Sequence, residues 1–329
     1  MTVLIITNRD DVHADLVIPL LEGADHRRRA VRLNTEDFLV NCPFELHQPS
    51  AEASLKILDA DRRLEFSEVT AVWYRKPPPV VPPDELAFPP ARGFAVREAE
   101  AALRTMFDLL EDRYWMSPVP SIRRASQKLP NLKVAADLGF TVPPTLVTNR
   151  PAAIEAFARR YDWNVLAKPF TFDTFQTGGD RPQSWDTFAA RFDAATFEAV
   201  RESVRLCPVI VQPYVEKALE LRATLVGREV FCTALHSQEH ADAREDWRAA
   251  AVEEIRHEPF ALPAEVEARL LAFNDHFGLN FSAVDLILDP GGRYVWLEAN
   301  PNGQWRWLED LTGQPISNAI AAQLAQAHA

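Results

Sequence analysis

A chain of 329 residues that is 47% hydrophobic and 25% charged can bury a large core and is long enough for two or three domains. Its net charge of -12 excludes the broad basic surface that duplex nucleic acid requires, so any anionic ligand must be met by local Lys and Arg clusters. No apolar run approaches the roughly 20 residues that span a bilayer; the opening MTVLIITNRDD turns acidic too soon for a signal peptide, and Cys42, Cys207 and Cys232 lack disulfide or zinc spacing, so a cytoplasmic protein is expected.

In chain order, residues 2–7 predict a strand, about 13–22 a helix with Leu16, Ile18, Leu20 and Leu21 as its apolar side, and 30–33 a second strand. This βαβ opening lacks GxGxxG, so no dinucleotide site is expected there. ASLKIL and RLEF predict a hairpin around Asp59 to Asp61, and residues 69–74 a further strand ending in WYRKPPP. Seven prolines between positions 77 and 90 then predict a long surface loop. A helix is expected over about 91–111, with Leu103, Met106, Phe107 and Leu110 at helical spacing.

Pro118 and Pro120 suggest a linker over 117–121 into a second domain. Beyond it the pattern gives a helix over 127–138 stopped by Gly139, a strand at 145–147, a helix started by Asn149 and Pro151, and a strand at 164–168. The loop over 170–183, with Thr177, Gly178 and Gly179, is a candidate phosphate flap. Strands follow at 209–212, 219–226, 229–236 and 252–257, then a helix after Pro263 with Val266, Leu270 and Phe273 inward, and a last helix marked by Ile316, Ile320 and Leu324.

Between these last two helices lies the most informative stretch, SAVDLILDPGGRYVWLEANPNGQWRWLE, residues 282–309. It predicts a hairpin closed by Asp289 to Arg293. Pairing Asp289 with Tyr294 around a four-residue loop sets Asp285 opposite Glu298, their Cβ atoms roughly 4.5 to 5.5 Å apart, with Asn300 on the same face. Facing carboxylates repel unless positive charge lies between them. Either the pair sits on a solvated hairpin face or it holds a hard cation.

Several groups resemble the ATP-grasp ligases. Lys128, Leu132, Ala135, Gly139, Pro143 and Thr145 resemble the start of that family's central domain, and Lys168 in VLAKP resembles its second nucleotide lysine. Gln212 to Val215 resembles the adenine-binding hinge, followed by Glu220 as the ribose-binding acid and Arg222 as a phosphate contact; Asp285, Glu298 and Asn300 match its magnesium ligands. NPNGQWRWLE, TGQPI and WYRKP are similar to the ribosomal-peptide maturases of the microviridin and graspetide type. The resemblance implies an α/β ATP-grasp fold with a pre-ATP-grasp domain (1–117), a central subdomain (118–211) and a C-terminal subdomain with the metal site (212–329). It further implies ATP and Mg2+ as cofactors, a precursor peptide with leader and acidic core as partner, and a homodimer. Pro213 and Tyr214 depart from the hinge's usual larger apolar residue, and the flap is poor in glycine.

A carboxylate has no usable leaving group until it is phosphorylated, and that transfer is mainly positioning and charge neutralisation. The resemblance gives Lys128 and Lys168 the phosphate contacts, with Gln212, Tyr214, Val215 and Glu220 around the nucleoside. Arg222 and Arg248, in DWR, would hold the γ-phosphate and then the acyl phosphate with a guanidinium fork. The alternatives are a surface lysine for Lys128, a cross-strand ion pair for Arg222 and a solvent-facing strand acid for Glu220. Arg75 and Lys76, at a strand end, are expected to attract the acidic core peptide or else to serve strand-end solvation. Trp305 and Trp307 are expected in packing, and His236, His240 and His257 show no ligand spacing. The implied reaction joins Asp or Glu side chains to Ser, Thr or Lys side chains; a RimK-like amino-acid ligase is the alternative enzyme, and a non-catalytic nucleotide-binding protein the alternative from another class.

Overall fold

The structure is a computed structural model that describes residues 1–47, 53–57, 62–171, 174–176 and 184–326. The chain opens with β1 (Thr2–Thr7), α1 (Val12–Glu22), β2 (Arg29–Asn34) and α2 (Phe38–Asn41). Next come β3 (Phe44–Leu46), β4 (Ala53–Ile57), β5 (Arg62–Glu65), β6 (Val69–Tyr74), α3 (Pro89–Asp108) and β7 (Tyr114–Trp115). A parallel sheet in the order β2-β1-β6-β7 takes its two faces from the period of two in β1. Val3 and Ile5 pack with Ala14, Val17 and Leu21 of α1, while Leu4 and Ile6 pack with Leu55, Leu64, Leu103 and Met106. Those partners lie on α3 and on the antiparallel sheet β3-β4-β5; the turn expected at Asp59 to Asp61 lies outside the described residues. The proline-rich stretch carries no helix or strand until α3 begins at Pro89, where proline needs no N–H partner.

The stretch expected as a linker is instead docked. Pro118 and Pro120 flank the start of α4 (Val119–Ala125), and the buried Ser117 accepts at Oγ from the backbone N–H groups of Asn280 and Phe281, each at 3.3 Å. Then follow α5 (Lys128–Asp137), β8 (Leu146–Thr148), α6 (Pro151–Arg160), β9 (Val165–Lys168), β10 (Thr174–Gln176), β11 (Ser184–Asp186), β12 (Ala190–Phe192), α7 (Ala194–Val200) and β13 (Val209–Pro213). Gly139, at φ +87°, ends α5 as expected, a conformation that a side chain would strain. An antiparallel sheet in the order β12-β9-β13-β8 results. Most of the expected flap, 172–173 and 177–183, lies outside the described residues.

The last part contains β14 (Leu219–Val226), β15 (Glu229–Leu235), β16 (His257–Pro259), α8 (Ala264–Phe277), β17 (Phe281–Leu288), β18 (Tyr294–Asn300), α9 (Arg306–Thr312) and α10 (Ile316–Ala325). Its sheet runs β16-β15-β14-β17-β18. The strand expected at 252–257 is corrected: Val252–Glu254 is a 3-10 turn, and pairing to β15 begins only at His257. One face packs on α8 around Trp296, which is 0% exposed, stacks 4.5 Å from Phe273 and donates from Nε1 to Asn131 Oδ1 at 3.0 Å. The opposite layer reaches back to the N-terminal sheet, because Ile316, Ile320 and Leu324 of α10 share one core with α1, Trp305 and Leu308.

Candidate active site

Three strands set three charges in a row. Arg222 on β14 pairs across to Asp285 on β17, which pairs across to Glu298 on β18. The expected pair forms, but by another route. Leu288 rather than Asp289 pairs with Tyr294, leaving a five-residue turn, and a β-bulge between Asp285 and Leu286 inserts Leu297 and restores Asp285 to Glu298. Without the bulge, the turn register would send Glu298 to the other face. Asn300 stands opposite Ala283. The cross-strand ion pair considered for Arg222 exists: Nη1 donates to both Asp285 oxygens, at 2.7 and 2.8 Å.

Glu298 lies in a ring of cations. Lys128 Nζ is 3.7 Å from Oε2 and also donates to the Pro169 carbonyl at 2.8 Å; Arg248 Nη1 is 3.8 Å from Oε1. Burial works against ionisation of Glu298, yet Arg248, Lys128 and Lys168 together hold its carboxyl below the ordinary range. Asp285 goes the other way: burial raises it, Arg222 opposes, and the Glu298 charge raises it further. Burial lowers the Lys168 ammonium, with Glu298 opposing and Lys128 adding to the shift. Asp246, itself buried, accepts from the Arg248 N–H at 3.1 Å and from its Nε at 2.9 Å, fixing that guanidinium over the cleft.

These charges close one end of a cleft of about 300 Å³ between the β12-β9-β13-β8 sheet and the five-stranded sheet. Lys128, Lys168, Gln212, Tyr214, Val215, Glu220, Arg248, Asp285, Glu298 and Asn300 all line it, with Leu166, Ile287 and Leu297 as apolar walls. Gln212 Nε2 donates to Thr145 Oγ1 at 2.9 Å. Tyr214 donates its N–H to the Asn164 carbonyl at 2.9 Å, and its ring lies 4.5 Å beneath the Arg191 guanidinium. Glu220 is buried rather than solvent-facing, and its Oε1 accepts from Lys217 Nζ at 2.9 Å and Ser237 Oγ at 2.8 Å. Burial raises its carboxyl while Lys217 opposes.

Sequence reasoning missed Lys217, Ser237 and Asp246. Two had a signal: Lys217 precedes Glu220 by three residues, and Asp246 precedes Arg248 by two in EDWR. Gly303 was also missed, although a Cβ there would fall 2.3 Å from Ala283 Cβ and 3.0 Å from Arg222 Nη2. Lys76 is exposed, but Arg75 is 1% exposed and turned inward, its Nη1 donating to the Asn302 carbonyl and its guanidinium 4.9 Å from the Trp305 ring. The expected peptide contact at Arg75 is therefore corrected, since that side chain has no surface to offer. Trp305 is fully buried, and the Trp307 ring lies tilted 5.0 Å from Trp247 and edge-on 5.3 Å from His257. His236 pairs with Glu258 at 2.9 Å. Among the described residues no group of three or more His, Cys, Asp or Glu could hold a metal, so a cation would rest on Asp285, Glu298 and the Asn300 amide, hard oxygens of the kind Mg2+ takes alongside phosphate and water.

Residues 2–123 match a family model described as the MvdD pre-ATP grasp domain. Among curated protein sequences none matches. Among solved structures, the chain is similar over 100% of both lengths to the macrocyclase MdnC of Microcystis aeruginosa MRC, bound with its precursor peptide MdnA, at 30% identity and TM-score 0.85. A RiPP-associated ATP-grasp ligase of Chryseobacterium gregarium, in complex with ADP and a leader and core peptide, is 26% identical with TM-score 0.87 over 100% of this chain and 97% of that one. The macrocyclase MdnB of M. aeruginosa MRC is 29% identical with TM-score 0.76 over 98% of both chains. No helix among the described residues is long and apolar enough to cross a membrane.

Proposed function

The chain belongs to the ATP-grasp ligases of the microviridin and graspetide maturase type, and on that premise we propose that it activates Asp or Glu side chains of a ribosomally made precursor peptide as acyl phosphates and joins them to Ser, Thr or Lys side chains. The observation that carries this is the opposed pair Asp285 and Glu298, ringed by Lys128, Arg222 and Arg248 at one end of a cleft lined at the other by Gln212 to Val215 and Glu220. Precursor-peptide complexes of MdnC and of the C. gregarium ligase support a peptide substrate. The parallel sheet β2-β1-β6-β7, the antiparallel sheet β12-β9-β13-β8 and the five-stranded sheet support the division into 1–117, 118–211 and 212–329, and a homodimer belongs to the same reading.

In this reading the nucleoside lies against Gln212, Tyr214 and Val215, and Glu220, held by Lys217 and Ser237, takes the ribose hydroxyls. Lys128 and Lys168 meet the phosphates as point charges. Asp285, Glu298 and Asn300 would hold Mg2+, which neutralises phosphate charge when bound. The substrate carboxylate attacks the γ-phosphorus and ADP leaves; the acceptor oxygen or nitrogen then attacks the acyl carbon, loses its proton, and phosphate departs with one carboxylate oxygen. Arg248 and Arg222 steady the transferring phosphoryl group and then the leaving phosphate. Lys76, exposed beside Arg75, attracts the acidic core of the peptide. Incubation with a precursor peptide, ATP and Mg2+ should remove one water from the peptide per ADP formed. Addition of a free amino acid would transfer the assignment to the RimK-like reading, and no mass change would refute both.

A further inference from the structure

The segment after the donor strand, Asn300 to Trp305, is held from outside its own sheet. Within it the Asn302 N–H donates to Asn300 Oδ1 at 3.0 Å and the Gly303 N–H to the Asn300 carbonyl at 3.1 Å. From the N-terminal part, Arg75, just past β6, donates from Nη1 to the Asn302 carbonyl, and His13 of α1 accepts the Trp305 N–H at Nε2 at 3.3 Å. That bond makes His13 the Nδ1–H tautomer, and Nδ1 faces Asp11 Oδ1 at 3.2 Å, whose other oxygen takes the Thr7 hydroxyl at 2.5 Å. The Trp305 ring lies 4.4 Å from His13 and 4.9 Å from Arg75, and its Nε1 donates to Ser317 Oγ at 3.0 Å.

Arg75 is costly where it stands. It is 1% exposed, and among the described residues its Nε and Nη2 have no partner. A buried guanidinium with unfilled donors lowers stability relative to an apolar side chain of similar length. The buried Asp11 is the acid whose charge it feels, and its one filled bond fixes Asn302, the residue whose N–H fixes the Asn300 side chain. We propose that Arg75, seconded by His13, is a positioning residue that ties the N-terminal sheet to the Glu298 and Asn300 donors, so that the cation site is complete only when the two sheets are docked. The proposal rests on the reading of Asp285, Glu298 and Asn300 as metal donors.

Its test is Mn2+ binding in the presence of ADP, followed by water-proton relaxation, together with thermal unfolding, for the native chain, Arg75→Met, Arg75→Lys and His13→Leu. Arg75→Met should remain folded yet bind Mn2+ about 10-fold more weakly, the scale of losing an outer partner of a metal ligand. Arg75→Lys, which can still donate to the Asn302 carbonyl, should keep most of the affinity, and His13→Leu should lose it as Arg75→Met does. Native-like Mn2+ affinity in Arg75→Met overturns the proposal; should that variant not fold, native-like affinity in His13→Leu overturns it. If Arg75→Met loses Mn2+ while the native chain dehydrates no peptide, the positioning role stands and the peptide reading falls. A native chain that binds no Mn2+ with ADP overturns both.

Discussion

Arg222→Leu removes the cation paired with Asp285, on the side of that carboxylate away from Glu298. The ion pair it breaks has short contacts of 2.7 and 2.8 Å, and its side chains are only 9% and 13% exposed. Removing one partner of so buried a pair costs about 3–5 kcal/mol, because Asp285 is left charged beside Glu298. The sign of the pH dependence follows. Asp285 already sits above the ordinary carboxylate range through burial and the Glu298 charge, and without Arg222 it moves higher. The folded variant then binds a proton more readily than the unfolded chain, so its stability falls as pH rises from the unfolded carboxylate value of about 3.9 to the raised folded value. Urea denaturation followed by tryptophan fluorescence should show the full deficit at pH 8 and a smaller one at pH 5. Arg222→Leu combined with Asp285→Asn should recover most of it. A loss below about 1 kcal/mol, or one unchanged between pH 5 and 8, refutes the assignment of Arg222 as the cation that neutralises Asp285.

Two further substitutions probe the cleft and its floor. Lys217→Met strips Glu220 of a charged donor at 2.9 Å, a bond worth about 1.5–3 kcal/mol, and should raise KM for ATP about tenfold or more while leaving the peptide KM near native; initial-rate kinetics read the split. Gly303→Ala places a Cβ 2.3 Å from that of Ala283 and should destabilise by about 1–3 kcal/mol, with Ala283→Gly in the same chain restoring most of the melting temperature.

Where sequence patterns sufficed, they reported local physics. The Pro-Gly-Gly turn and two apolar flanks specified the hairpin, so the facing of Asp285 and Glu298 was legible from residue order alone. The register at the turn was off by one, and the Asp285 to Glu298 pairing was right for a reason the sequence did not contain: the turn is one residue longer than expected, and the bulge at Leu297 compensates. Prolines misled at 117–121 because Pro favours the first turn of a helix as readily as a linker. Val252 and Ile255 suggested a strand, but pairing to β15 starts only at His257. Arg75 was misjudged because a charge at a strand end reads as solvated, and nothing local reveals that a loop 227 residues away covers it. Docking between distant segments is a tertiary fact, and so is the burial of Lys217 and Asp246.

The most direct test labels the side-chain carboxylates of the precursor peptide with 18O and follows the label into phosphate during turnover with ATP and Mg2+. Activation as an acyl phosphate predicts that each bond formed releases one phosphate carrying one labelled oxygen, and that Glu298→Gln abolishes both label transfer and dehydration while its thermal unfolding stays near that of the native chain. Crosslinked peptide accompanied by unlabelled phosphate would contradict the account.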